Sequence, residues 1–397
     1  MSRRGTVVFH KIRKIGLKTA GLVTAAAVLW GCTEVGGGSQ GPRVNTNKPV
    51  VVGILVPSGS GNQQQEALAG SLVAAAKMAV AEMGDVQIDL RVYPTAGDSN
   101  RAAAAAQRAA SEGAKILVGP LFAQAANAAG TAVASQGINV LSFSNNPDIA
   151  GGNVFILGDT FANTADRVVG YAARKGQRSV AALVRADAAG DVAAAAVQTA
   201  ARNNGASFVG VAKYELTSES AIAAVSATKS LIERTGATAL VLDADAAGAL
   251  PVFAQMLPEK GVTSASTQFI GLTRWDQTAP AVRSSAGLQG SLFALNDTSA
   301  TSSFNQRYAA ANGSNPHLLA GKAYDAMRAV GTLLQTGSSD ALTRKKLTRN
   351  TGFQGANGIF RLRPDGTNQR ALAVATFQEG NVVVLDPAPR SFGGSGS

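Results

Sequence analysis

The chain has 397 residues, 46% hydrophobic, 15% charged and 5% aromatic, with a formal charge of +11. Six cations lie in the first 18 positions; the remaining 30 basic residues against 25 acidic give +5, a mildly basic surface with no aromatic-interleaved Lys/Arg run, which excludes a nucleic-acid footprint. One cysteine and two histidines leave no disulfide framework and exclude most metal or nucleophile chemistry.

At the N-terminus Arg3, Arg4, Lys11, Arg13, Lys14 and Lys18 precede the apolar stretch AGLVTAAAVLW at 20–30. That is the length of a signal-peptide core and too short to span a bilayer. The following Leu29-Trp30-Gly31-Cys32 resembles the bacterial lipobox, although Trp30 stands where the pattern prefers a small residue. The resemblance implies a signal peptide at 1–31, acylation of Cys32 and a lipid anchor in the membrane. Thr33, rather than an aspartate, implies the outer membrane of the cell envelope, facing the periplasm. Residues 32–48 are Gly-, Ser- and Asn-rich and read as a flexible tether, and 389–397 as a disordered tail.

Between them, short apolar runs alternate with alanine-rich helical stretches. The run VVVGILV at 50–56 is continuous, as in a strand buried on both faces. Helices are expected at 65–83, 100–112 and 124–135, with strands at 88–92, 116–118 and 140–143. This alternation predicts an α/β fold with a doubly wound parallel sheet and right-handed crossovers. The pattern repeats with helices at 163–175, 190–203, 221–235 and 247–257, and strands at 179–184, 207–214, 239–242 and 268–271. After an apolar run at 288–294, helical stretches follow near 302–311, 318–334 and 338–346. An antiparallel hairpin of 358–362 with 371–378 is expected across the turn Arg363-Pro364-Asp365-Gly366, then 382–385 after Glu379-Gly380. The basic group Arg344, Lys345, Lys346, Arg349 reads as one solvated helix face.

The segments VVVGILVPSGSGN (50–62), GAKILVGPLFAQAANAAGTAVASQGINVLSFSNN (113–146), GVAKYE (210–215), GFQGANGIFRLRPDGT (352–367) and VVVLDPAPRSF (382–392) occur in this order. Together they resemble the leucine/branched-chain amino-acid-binding branch of the periplasmic-binding-protein superfamily, over about residues 49–388. The second and last are most similar to its penicillin-binding-protein activator subfamily. The resemblance implies a type I periplasmic binding protein fold: two doubly wound parallel-sheet lobes, joined by three crossings near 154–161, 287–294 and 352–359. Lobe 1 would combine 49–156 with 292–350, and lobe 2 157–288 with 353–388. A ligand cleft would lie between them, closing by hinge motion.

Ligands of such sheets sit beyond the carboxyl ends of the strands. The loop Pro57-Ser58-Gly59-Ser60-Gly61-Asn62 could offer backbone amides and the hydroxyls of Ser58 and Ser60 to an anion, or could simply be a turn and helix cap. It lacks the Lys-Ser/Thr of a phosphate loop. From the resemblance, Gln124, Ser142, Ser144 and Asn145 stand where relatives hold an amino acid's carboxylate and amine; capping is their structural alternative. In the second half, the loop 185–190 lacks the aromatic that covers the ligand in relatives. Asp243 and Asp245 could pair with an ammonium group or be solvated loop acids, and Trp275 could line the cleft or pack inside. His317 sits in a turn-like SNPH stretch with no partner nucleophile, so neither catalysis, a metal nor a cofactor is expected.

Two functions follow. One is a non-enzymatic lipoprotein that activates a cell-wall synthase, a penicillin-binding protein. The other is the substrate-binding lipoprotein of an amino-acid ABC transporter, with a small amino-acid-like ligand and the transporter permease as partners. Nucleic acid is not expected as a partner of either.

Overall fold

Strand β1 (Val50–Val56) shows why its apolar run is continuous. Val52, Ile54 and Val56 face one buried cluster, and Leu55 faces another on the opposite side of the sheet. The computed structural model describes residues 41–245 and 248–392. The leader, Cys32 and the end of the tail lie outside the described residues.

The chain continues through α1 (Gln63–Ala81), β2 (Ile88–Pro94), α2 (Ser99–Ser111), β3 (Ile116–Val118), α3 (Ala123–Val133), β4 (Asn139–Ser142) and β5 (Val154–Ile156). The five strands form one all-parallel sheet, ordered β2-β1-β3-β4-β5. Next come α4 (Phe161–Arg174), β6 (Ser179–Arg185), α5 (Ala188–Asn203), β7 (Ser207–Tyr214), α6 (Ser218–Thr235), β8 (Ala239–Leu242), α7 (Leu250–Glu259), β9 (Gln268–Gly271), the single turn α8 (Pro280–Arg283) and β10 (Leu292–Leu295). Helices α9 (Thr298–Asn312), α10 (Ala320–Leu334) and α11 (Arg344–Leu347) follow. The last strands are β11 (Phe353–Gly355), β12 (Gly358–Leu362), β13 (Asn368–Arg370), β14 (Ala373–Gln378) and β15 (Asn381–Asp386). The second sheet has seven strands, ordered β15-β14-β10-β9-β8-β6-β7. It is parallel from β7 to β10, whereas β14 runs antiparallel to both its neighbours.

Each face of each sheet carries its own core. In β6, Val180, Ala182 and Val184 pack with α4 and α5, while Ala181 and Leu183 face the side of α6 and α7. Alanine brings these helices close to the sheets: Ala102, Ala105, Ala106 and Ala109 of α2 and Ala125 and Ala129 of α3 are all buried in one cluster. Helix α10 packs along α1, and Gly331 in it leaves room for Met83 just beyond the end of α1, whose sulfur a Cβ would overlap.

Four expectations differ from the structure. The hairpin does not pair 358–362 with 371–378. Instead β11, β12 and β13 form a separate three-stranded antiparallel sheet, and the chain then leaves for β14 in the seven-stranded sheet. Residues 292–295 pair in the second sheet, and Phe353, Phe360 and Leu362 pack in the same core as β1, opposite to the lobes expected for them. The tether is already docked from residue 41: Val44 is buried and its N–H donates to Ser339 O at 2.9 Å. The basic group at 344–349 is only partly a solvated face, because Arg344 donates to the carbonyls of Gly152 and Pro364 and lies over the Phe155 ring.

The chain passes from the first sheet to the second after β5, returns after β10 to the helices and the small sheet β11-β12-β13 that pack on the first sheet's core, and passes again to the second sheet after β13. The first and third passages lie side by side. Asn368 Nδ2 donates to Ile156 O (3.0 Å) and Gly158 O (2.8 Å), and its Oδ1 accepts from Asn163 Nδ2 at 2.8 Å. Gly158 lets the first passage lie close against the loop after β4, since a Cβ there would fall 2.5 Å from the Asn145 nitrogen.

Candidate functional site

Most polar groups at the carboxyl ends of the strands already have partners in the chain. Asn62, Asp98, Thr160, Asp187 and Asp297 cap α1, α2, α4, α5 and α9. Ser60 Oγ accepts from Asn62 N–H at 3.1 Å. The amides of Gly59 and Ser60 donate to Glu66 Oε1 at 2.6 and 3.2 Å, so the chain's own carboxylate occupies the anion position expected of this loop. Ser58 is half-buried, and its carbonyl accepts from Ala96 N–H. Ser142 is buried, donating to Pro120 O at 2.8 Å and accepting from Ser144 N–H. Ser144 Oγ in turn accepts from Asn146 N–H at 3.1 Å. Gln124 is exposed on the first turn of α3. Asn145 is exposed and lines the large cavity described below.

The second-sheet residues divide in the same way. Asp243 is buried with both oxygens engaged: Oδ1 accepts from Tyr214 Oη at 3.1 Å, and Oδ2 from the Arg185 backbone N–H at 3.1 Å and its Nε at 3.4 Å. Burial pushes its carboxyl above the ordinary value despite these donors, and burial likewise raises the Tyr214 phenol. Asp245 is exposed on the loop after β8. Trp275 is fully buried, its Nε1 donating to Ala244 O at 2.9 Å and its ring tilted against Phe293, so it packs beneath the loop rather than lining a cleft. Phe122, 39% exposed against Gly97 at the start of α3, is an aromatic in the same loop region as Gln124.

The strongest electrostatic feature was also not anticipated. Asp159, in the first passage between the sheets, receives Lys322 Nζ at 2.6 Å and lies 3.1 Å from Arg370 Nε, both on Oδ1. Arg370, at the third passage, donates to Asp325 Oδ2 at 2.8 Å and to Leu157 O at 2.6 Å. Asp325 also accepts from Ala356 N–H, and Gly355 leaves it room: a Cβ there would fall 2.3 Å from Oδ1. The side chains of Lys322 and Arg370 are 3% exposed and that of Asp325 0%, whereas Asp159 remains 41% exposed.

Burial alone would raise the Asp159 carboxyl, but Lys322 and then Arg370 outweigh it and hold it at about 2. Burial draws the Lys322 ammonium down, and the like charge of Arg370 adds to that shift. Arg274, after β9, contributes to the field at Asp159 from the second sheet and is itself held by both oxygens of Asp276, at 2.8 and 2.7 Å. The signal in the sequence was Lys322 and Asp325, three residues apart within the apolar face of AGKAYDAMRAVGTLL.

Two cavities adjoin these passages. One of about 450 Å³ is bordered by Arg274, Asp276, Asn296, Thr298 and Asn305. A larger one of about 920 Å³ runs from Asn145 and Asp159 past α4 and α5 to the β12–β13 hairpin and Phe392. Among the described residues no group of three or more His, Cys, Asp or Glu is placed to hold a metal, and no helix is long and apolar enough to cross a membrane.

The sequence profile of the periplasmic binding protein family matches residues 49–381. The chain belongs to the periplasmic binding protein family. No curated protein sequence matches it. Solved structures share the fold. A Rhodospirillum rubrum protein assigned to a branched-chain amino acid ABC transporter superposes with TM-score 0.70 at 19% identity, over 85% of this chain and 100% of that one. An ABC transporter substrate-binding protein from Desulfitobacterium hafniense, in complex with Leu, gives 0.59 at 18%, over 85% and 100%. A leucine binding protein from Thermotoga maritima gives 0.55 at 16%, over 85% and 98%. The two parallel-dominated α/β sheets are thus those of a type I periplasmic binding protein, a family of ligand binders.

Proposed function

We propose that this periplasmic binding protein is the substrate-binding component of an ABC transporter for a zwitterionic, amino-acid-like solute, held at the cell envelope by lipid on Cys32. The observation that carries the reading is the charge arrangement where the chain passes between the sheets. Asp159 and Arg274 are each partly exposed, at 41% and 42%, carry opposite charge and lie on different sides of the gap. Asp159 Oδ2 accepts no hydrogen bond among the described residues and is available to a ligand ammonium. Arg274 can share its fork between Asp276 and a ligand carboxylate. Lys322 and Arg370 keep Asp159 ionised at every physiological pH. The structural relatives add support, since they include a protein of a branched-chain amino acid ABC transporter, a leucine binding protein and a substrate-binding protein in complex with Leu.

The two sheets act as the lobes of this reading, and the three passages as its hinge. The cell-wall-synthase activator is the weaker reading, because the fold accounts for the segments that suggested it. SFSNN, in the second segment, ends β4 with its hydroxyls in turns, and VVVLDPAPRSF, the last, begins in β15 beside β14. The test is a thermal-shift and calorimetric screen against the proteinogenic amino acids. A ligand at 100 times its dissociation constant adds about 2.7 kcal/mol of stability. Binding that weakens in Asp159→Asn and Arg274→Gln supports the proposal; an amino-acid panel without heat or shift sinks it.

A further inference from the structure

The 920 Å³ cavity contains more than the gap between the sheets requires. One wall is the outward side of the β12–β13 hairpin, presenting Arg361 and Arg363. The opposite wall is apolar and belongs to the other core: Phe161 of α4 with Val192, Ala195 and Ala196 of α5. Phe392 closes one side, its ring 4.9 Å from the Arg361 guanidinium.

Nearly every other charge on these walls has a partner in the chain. Arg167 pairs with Asp386 at 2.9 Å, and Arg370 with Asp325. Asp166 accepts from Asn204, Asp365 from the Thr367 amide and hydroxyl, and Asp159 from Lys322. Asp148, beside Asn146, is exposed and forms no ion pair among the described residues. Arg361 has only the neutral acceptors Gln369 Oε1 (2.8 Å) and Asn350 O (3.3 Å), and Arg363 is exposed with no carboxylate partner among the described residues. Asp148, Asp166 and Asp365 likewise form no ion pair among the described residues, but Arg361 and Arg363 stand together on the hairpin and face the apolar wall across a space of small-ligand size.

We propose that this cavity is a second binding site, for an organic anion that combines a carboxylate with an apolar or aromatic body. The carboxylate takes the forks of Arg361 and Arg363, and the body lies on Phe161, Val192 and the α5 alanines, with Phe392 over it. The hairpin packs with the first sheet's core and α4–α5 with the second's, so an occupant touches both halves and couples to their relative position. This goes beyond the amino-acid site and uses none of its charged pair Asp159 and Arg274, although the cavity borders Asp159.

The probes are benzoate and phenylacetate, with benzamide as the uncharged control, titrated calorimetrically into the full chain. Both acids bind and benzamide binds at least about tenfold more weakly, since a charge-assisted contact is lost. Arg363→Gln, an exposed change, weakens the acids about tenfold or more. Ala195→Trp, an exposed helix position, fills the space and abolishes binding, while Arg274→Gln leaves it unchanged. Absence of binding by both acids overturns the proposal, as does binding indifferent to Arg363→Gln and Ala195→Trp. Amino-acid affinity that survives Arg363→Gln keeps failure here separate from failure of the transport reading.

Discussion

Asp325→Ala is expected to be among the most destabilising single changes at the passages. It removes the carboxylate 2.8 Å from Arg370 Nη1, deep enough that both side chains are at most 3% exposed. Removing one partner of a buried pair costs about 3–5 kcal/mol, because the remaining charge is left uncompensated. Two structural details adjust that range in opposite directions. Arg370 keeps Leu157 O and Asp159, which moderates the loss, while the Ala356 N–H loses its acceptor at 2.7 Å, adding about 1 kcal/mol. The expectation is about 4 kcal/mol. With an unfolding entropy of about 2.1 cal/mol/K per residue over roughly 350 residues, the melting temperature falls by about 5 °C. The assay is thermal unfolding of wild type, Asp325→Ala, Arg370→Met and the double variant. A buried pair predicts strong non-additivity, with the double variant recovering much of the loss. Additive losses, or a fall of less than about 2 °C for Asp325→Ala, would refute the idea that these charges depend on each other.

Asp159 makes a pH prediction. Its folded carboxyl lies at about 2, below its ordinary 3.8, so its stabilisation is complete above about pH 4 and is lost as pH falls through about 2. The shift corresponds to roughly 2.4 kcal/mol, reduced to about 1 kcal/mol because the side chain is 41% exposed; melting curves between pH 2 and 5 for wild type and Asp159→Asn should converge at the acid end. Asp243→Asn should lower stability by about 1–3 kcal/mol while leaving ligand affinity within about twofold, since this carboxylate serves Tyr214 and Arg185; lost affinity at unchanged stability would instead make it a ligand residue. Trp275→Ala should destabilise by about 3–5 kcal/mol as a fully buried ring, measured by denaturant unfolding. Cys32→Ser should release the protein from membranes, and unchanged fractionation would refute lipid anchoring.

The sheets were legible because their strands are buried on both faces and therefore read as continuous apolar runs, as in Val50–Val56 and Ala239–Leu242. The pairing at the end of the chain was not. The turn Arg363–Gly366 announces a hairpin, but nothing local says that its second strand stops at Arg370 and that the next one joins a different sheet. That choice rests on Arg370 and Asn368 bonding to the passage at Ile156–Asp159, contacts more than 200 residues apart in sequence. The candidate ligand residues were chosen by loop position, and position alone does not separate a hydroxyl aimed at a ligand from one closing its own turn. Ser142 and Ser144 close turns, while the exposed acid at the passage, Asp159, follows a strand too short to stand out.

The passages between the sheets thus carry two kinds of interaction with different consequences for motion. The hydrogen bonds of Asn368 and the Arg370–Asp325 pair lie almost wholly out of water, and Asn368 binds the third passage to the first. Asp159 and Arg274 are instead open to solvent and belong to opposite sides, and their interaction strengthens as water leaves the gap. A zwitterion placed between them would replace that water and offer each charge its complement. Its binding energy would then favour the closed arrangement by the difference in contacts between the two states, as hinge closure requires. The same division explains why Lys322 and Arg370 are buried under Asp159. Both meet the same oxygen, Oδ1, and under the proposed function Oδ2 is the one left to a ligand.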